Sequence, residues 1–276
     1  MSEVLLTRRE GAVLVLSNNN PAARNALSPE FYAALTQALA QAEADPAVGA
    51  IVLTGEGGHF CSGGDLRQLA RRRELPVEER RAKLEGLHDL IRTVRDCRKP
   101  VIAAVEGAAA GAGLSLALAC DMLVAARNAV FSVAYVKVGL TPDGGATAFL
   151  AEFVSRQVLT ELCLTGERIS GERRQAFGPV NRLAEPGEAL TQALALAAQV
   201  ATGPDTAMAN IKALCRSAYA QPLADQLELE AQLMVQSQAT EESREGIAAF
   251  LEKRPADFAR LRQINTPRTG NEETQP

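Results

Sequence analysis

VIAAVEGAAAGAGLSLALACD, residues Val101–Asp121, decides how the rest of the chain is read. It opens on a short apolar run, Val101–Val105, that follows Pro100 and is rich in β-branched residues, the pattern of a buried strand. Glu106 and a stretch of Gly and Ala alone, Gly107–Gly113, come next. Leu114, Leu116 and Leu118 then sit among small residues, as in a buried helix. Strand, small-residue turn and helix bring unpaired backbone N–H groups to a helix N-terminus, the positive end of its dipole. Small side chains let a guest approach that backbone, and the guest such a site favours is an oxygen bearing negative charge. The glycines at 107, 111 and 113 have neither dinucleotide-loop spacing nor a Gly-Lys-Ser/Thr ending, so the turn suits a single oxyanion better than a phosphate chain.

Outward from this stretch, strands and helices alternate. Val4–Arg9 and Val13–Ser17 flank Glu10-Gly11 as a hairpin. Ser28 caps a helix with Pro29 at its first position, and Phe31, Leu35 and Leu39 mark its inner face. Ala50–Thr54 is a second buried strand. Helical patterning runs over Leu66–Arg73 and again from Pro76 to Cys97. Met122–Ala126 and Val130–Val133 are short strands; from Gly144 the chain is mostly helical, with one short strand at Val180–Leu183 and a last amphipathic piece at Ala248–Phe258. The fold class is α/β with a helical appendage.

Composition excludes several classes. A formal charge of −4 offers nothing to nucleic acid. Five cysteines without paired spacing read as reduced thiols, and two histidines are too few for a metal cluster. No apolar run approaches the ~20 residues of a membrane span. The N-terminus has no signal-peptide core, so a cytoplasmic location is expected. Arg71, Arg72, Arg73, Arg80 and Arg81, interleaved with Glu74, Glu78 and Glu79, read first as a solvated helix face and second as a surface greeting an anionic substrate.

Two further stretches carry chemistry. HFCSGGD, His59–Asp65, repeats the strand-end, glycine, helix-start logic of the central stretch. Two such turns can each give one amide to the same oxygen, which makes an oxyanion hole and, for a thioester, steadies the enolate left when the α-proton departs. VGLTPDGG, Val138–Gly145, sets Asp143 in a turn, where it serves as a helix cap or as a general base.

FCSGGDL, IAAVEGAAAGAGLSLALACD and FSVAYVKVGLTPDGG, in this order and spacing, resemble the enoyl-CoA hydratase/isomerase (crotonase) superfamily. RNALS at Arg24–Ser28 and FLEKRPADF at Phe250–Phe258 fit it too, and the likeness spans roughly Leu5 to Phe258. The resemblance implies a core of repeated ββα turns over residues 1–200, a helical trimerisation region over 201–260 and a disordered tail over 261–276. It implies an acyl-CoA thioester as substrate, no cofactor beyond that CoA, no metal, and a homotrimer or dimer of trimers. The two oxyanion amides fall on Gly64 and Ala112. Arg24, Ser62, Gly63, Gly64, Asp65 and Leu66 match positions that line CoA, as do Phe250 and Lys253 of a C-terminal segment that can reach across a subunit boundary.

The acid/base positions depart from the hydratase pattern. The two glutamates that hold water in typical hydratases are Ser115 and Tyr135 here, and Asp143 stands at the acid/base position of isomerase and dehalogenase branches. Hydration needs one group to activate water and another to protonate the α-carbon, whereas double-bond or ring isomerisation needs one proton carrier. The expected activity is therefore proton transfer by Asp143 through a held enolate, with Tyr135 as hydrogen-bond donor or pocket wall. The rivals are 2-enoyl-CoA hydration, a catalytically silent acyl-CoA binder, and a peptidase using Ser115 with His59 or His88.

Overall fold

The computed structural model describes residues 3–264. In chain order the elements are β1 (Leu5–Glu10), β2 (Val13–Asn18), α1 (Pro29–Ala44), β3 (Ala50–Gly55), α2 (Leu66–Arg72), α3 (Val77–Asp96) and β4 (Val101–Val105). Then come β5 (Ala108–Ala110), α4 (Ala112–Ala119), β6 (Met122–Ala126), β7 (Val130–Ser132), α5 (Ala146–Ala151), α6 (Arg156–Thr165), β8 (Ile169–Ser170) and α7 (Gly171–Ala176). The chain continues through β9 (Arg182–Ala184), α8 (Ala189–Val200), α9 (Asp205–Ser217), α10 (Leu223–Gln238), α11 (Glu241–Leu251) and α12 (Phe258–Ile264).

A large sheet runs β1-β2-β3-β4-β6-β9. Its β1–β2 pair is the antiparallel hairpin, and every later pair is parallel. A small sheet runs β5-β7-β8 and is extended by single bridges between Cys61 and Ala109 and between Leu27 and Gly64. The ββα repeat is thereby explicit. A strand of the large sheet leads to a short paired segment in the small sheet and then to a helix, at β2–Leu27–α1, β3–Cys61–α2, β4–β5–α4 and β6–β7–α5.

β4 is buried on both faces, as its apolar run requires. Val101, Ala103 and Val105 face the layer built with α1, α3 and α4. Ile102 and Ala104 face the other layer, where α8 presents Ala189, Ala193 and Ala197. Alanines on both surfaces let α8 approach the sheet closely. Small residues thus set the spacing on this side, while leucines and phenylalanines fill the other.

The structure differs from the sequence reading in four places. Ala108–Ala110 is a strand, because its amides and carbonyls pair with Cys61 and β7. Ile169–Ser170 is also a strand, too short to show a period. The last amphipathic piece is two helices, α11 and α12, parted at Lys253 in a left-handed conformation and at Pro255. The expected tail is helical to Ile264, and its remainder lies outside the described residues. Arg262 explains this: buried, it donates to the carbonyls of Ala201 and Gly203 at 3.0 Å and pairs with Asp205 at 2.8 Å.

Polar pins fasten the C-terminal helices to the core. Lys212 of α9 donates to the carbonyls of Cys97 and Lys99 at 2.7 Å and meets Asp121 at 2.5 Å. Asp121 in turn accepts from Val101 N at 2.7 Å, so its role is structural. Lys212→Met leaves a buried carboxylate and two carbonyls without their partner. It is expected to cost about 3–5 kcal/mol in urea unfolding, and a loss under about 1 kcal/mol would show that α9 does not depend on the pair. Arg174 has the opposite character. It is 1% exposed, its guanidinium lies 5.3 Å from the Phe131 ring, and none of its nitrogens finds a hydrogen-bond partner among the described residues. Burial pushes its pKa down to about 10. Arg174→Met is expected to stabilise the fold by about 1–3 kcal/mol, read as a raised urea midpoint; a lowered midpoint contradicts this.

Candidate active site

The site is built where two chain segments are bonded side by side. Cys61 N donates to Ala108 O at 2.9 Å, and Ala110 N donates back to Cys61 O at 3.0 Å. This register lays the Gly63-Gly64 turn against Gly111-Ala112. The approach needs glycine. Gly63 has φ +99°, and a Cβ on it would stand 2.7 Å from Ala110 O. A Cβ on Gly113 would stand 2.4 Å from Cys61 O. Gly64 and Ala112 both line a cavity of about 300 Å3, and among the described residues neither amide donates to a protein acceptor. Ala112 is the first residue of α4, where amides lack intrahelical partners.

Asp143 and Tyr135 line the same cavity. The Tyr135 hydroxyl donates to Asp143 Oδ1 at 2.7 Å, and Ser115 Oγ donates to the Asp143 carbonyl at 3.0 Å. Ser115 and Tyr135 therefore hold the aspartate's loop. Burial, together with the charge of Asp143, pushes the Tyr135 pKa well above the usual tyrosine value, so this phenol remains a donor. Tyr32 of α1 forms part of the wall. Its pKa is pushed up to about 12 by burial, which outweighs the opposing pull of Arg72 beside it.

The expected CoA-lining positions divide. Arg24 and Ser62 are joined through their backbones: Ser62 N donates to Arg24 O at 3.0 Å, and Ser62 Oγ donates to Ala23 O at 3.1 Å. Leu27 N donates to Gly63 O at 2.8 Å, so the segment at 24–27 runs along the segment at 62–64. Asp65 caps α2, accepting from Arg67 N at 2.8 Å, and Leu66 is exposed. Phe250 and Lys253 lie at the end of α11, outside the cavity lining of this single chain, with Phe250 84% exposed.

Sequence reasoning missed Asn25. It is fully buried with φ +58°, accepts from Asn20 N at 2.9 Å, and donates to Glu56 O at 2.8 Å and His59 O at 2.6 Å. Its quoted RNALS context was the available signal, since Asn tolerates the left-handed conformation and ties turns through its side chain. Of the cations read first as a solvated face, Arg72, Arg73 and Arg80 line the cavity, and Lys83, which the sequence reading did not single out, lines it with them. The peptidase arrangement does not form. His59 Nδ1 accepts from Ala108 N at 3.2 Å, His88 sits beside Glu85 on α3, and Ser115 is spent on Asp143.

Two backbone amides without a protein acceptor among the described residues and one carboxylate thus share a cavity. Comparisons with known proteins show the family. A family model described as enoyl-CoA hydratase/isomerase matches residues 8–261. A crystal structure of an enoyl-CoA hydratase from Polaromonas sp. JS666 is 48% identical with a TM-score of 0.88, covering 91% of this chain and 98% of its own. One from Mycobacterium smegmatis is 32% identical with a TM-score of 0.85, covering 92% and 98%. The 1,2-epoxyphenylacetyl-CoA isomerase of Escherichia coli is 35% identical over 94% of this chain and 99% of its own. The chain belongs to the enoyl-CoA hydratase/isomerase family and has its crotonase fold.

Asn25→Ala removes three hydrogen bonds at a left-handed residue. At about 1 kcal/mol for each bond, it is expected to lower stability by about 3 kcal/mol in chemical denaturation. A change below about 1 kcal/mol would show that the 20–28 loop is held without it.

Proposed function

We propose that this enzyme isomerises an unsaturated acyl-CoA by moving one proton through an enolate. The observation that carries the reading is Asp143, a single carboxylate on the cavity that Gly64 and Ala112 share, with Ser115 and Tyr135 both bonded to its loop. In this scheme the thioester oxygen accepts from the Gly64 and Ala112 amides. Asp143 takes a proton from one carbon of the conjugated system and returns it to another, so that no atom is gained or lost. Tyr135 keeps the carboxylate aimed while donating to Oδ1. Ala112 supplies its donor from the backbone, so its side chain does not enter the scheme.

Hydration is the second reading, favoured by the solved relatives that carry the hydratase name. It would require Asp143 to manage both the water and the α-carbon. Incubation with linear and cyclic unsaturated CoA thioesters separates the two by product mass: an isomer of unchanged mass fits the proposal, and a gain of one water fits hydration. Asp143→Asn is expected to lower turnover by about 10²–10⁴-fold while a saturated acyl-CoA still binds. Undiminished turnover removes Asp143 from the scheme.

The same reading takes the chain as a homotrimer or a pair of trimers, cytoplasmic and using no cofactor beyond the CoA of its substrate. Exposed apolar side chains on the appended helices support the oligomer, among them Leu223, Leu227, Met234, Ile247 and Phe250. Phe250 and Lys253 would then meet CoA at a neighbouring subunit's site. Among the described residues no helix is long and apolar enough to cross a membrane.

A further inference from the structure

The cavity wall carries more positive charge than a thioester and one aspartate need. Arg72 and Arg73 come from the end of α2, and Arg80 and Lys83 from the first half of α3. Among the described residues Asp143 is the one carboxylate on the lining. Arg73 pairs with Glu74 at 3.2 Å, whereas Arg72, Arg80 and Lys83 have no carboxylate partner among the described residues. Partners stand nearby in sequence. Glu79 precedes Lys83 by one helical turn, a spacing at which such pairs commonly form on an exposed helix. No such pair forms here, and Lys83 lines the cavity instead.

A Cβ on Gly144, next to Asp143, would stand 3.5 Å from Leu87 of α3. Lys83 and Arg80 lie one and two turns earlier on that helix, about 6 and 10 Å along its axis. Leu69, Leu84 and Leu140 line the same cavity, so a ligand in it meets paired amides, cations and a hydrocarbon wall. An uncharged acyl thioester uses the amides and the hydrocarbon wall and leaves the cations without a partner. Arg72 is half-buried beside Tyr32, so its guanidinium is partly removed from water and gains from an anion that replaces that water.

Resting on the reading that this cavity takes acyl-CoA, we infer that the preferred acyl group carries a second carboxylate remote from the thioester. Arg72, Arg80 and Lys83 receive it, and the leucine wall accommodates the carbons between. These residues are then specificity determinants for the acyl end, while Asp143, Gly64 and Ala112 act at the thioester end.

The test measures binding by calorimetry with the full-length protein and saturated thioesters, which cannot react. Hexanoyl-CoA and octanoyl-CoA are each compared with the thioester of equal chain length that ends in a carboxylate. The carboxylated member of at least one pair is expected to bind about tenfold more tightly, corresponding to about 1.4 kcal/mol. That ratio should collapse toward one in Arg72→Gln and in Arg80→Gln/Lys83→Gln, and with rising salt. Arg81→Gln, which lies outside the cavity lining, should keep it. Equal binding within both pairs overturns the inference. So does an equal loss for free CoA and all thioesters in Arg80→Gln/Lys83→Gln, which would assign these cations to the CoA phosphates. The proposed isomerisation is judged separately, by conversion of unsaturated thioesters: no conversion with the affinity ratio intact sinks that chemistry and leaves the cationic end standing.

Discussion

The pairing of Cys61 with Ala108 and Ala110 is the constraint on which the site depends. Two hydrogen bonds near 3 Å continue the β3–β4 pairing and fix the register between the turns of two neighbouring ββα units. Every downstream relation follows from it. Gly63 lies against Ala110, Gly113 lies under Cys61, and the amides of Gly64 and Ala112 arrive on one cavity. A side chain at Gly113 or Gly63 would bring a Cβ to 2.4 or 2.7 Å from a backbone oxygen, where none fits. The small-residue composition of Gly107–Gly113 is therefore a packing requirement first, and through that requirement it exposes the amides. The fold also shields this register. Cys61 is fully buried, and burial pushes its thiol up to about 12, keeping it a protonated, inert filler between the two turns.

A second feature is the pair of hydroxyls that hold Asp143, on Ser115 and Tyr135. Ser115 and Tyr135 could not activate water as carboxylates do. Both instead donate hydrogen bonds to Asp143, one to its backbone and one to its side chain. Three residues from α4, the turn at 134–138 and the loop before α5 thus act as one unit whose only titratable carboxylate is the aspartate. A buried phenol with a raised pKa suits this use, since it donates across the physiological range without itself exchanging a proton.

Much of the fold was legible because its signals are local. The β4 run and the Ser28 cap with Pro29 each act within a few residues. The two glycine turns were legible for the same reason, since their glycines report a close approach whatever they approach. What was hidden depends on residues far apart in sequence. Ala108–Ala110 is a strand only because Cys61 and Val130–Ser132 offer partners. Arg262 is buried because Ala201, Gly203 and Asp205 surround it, although its neighbours read as a polar tail. The arginine-rich stretch is a further case. A helical period shows that cations and leucines occupy different faces, but only the placement of α2 and α3 beside Gly64 and Asp143 turns some of those cations toward the cavity.

The central claim is that two amides grip the thioester oxygen while Asp143 faces the carbon that loses its proton. A crystal structure of the protein with a bound unreactive acyl-CoA examines this directly. The account predicts the thioester oxygen at about 2.7–3.1 Å from both Gly64 N and Ala112 N, with the Asp143 carboxylate beside the α- or γ-carbon. A thioester oxygen bound away from either amide, or an Asp143 turned from the acyl chain, would contradict it.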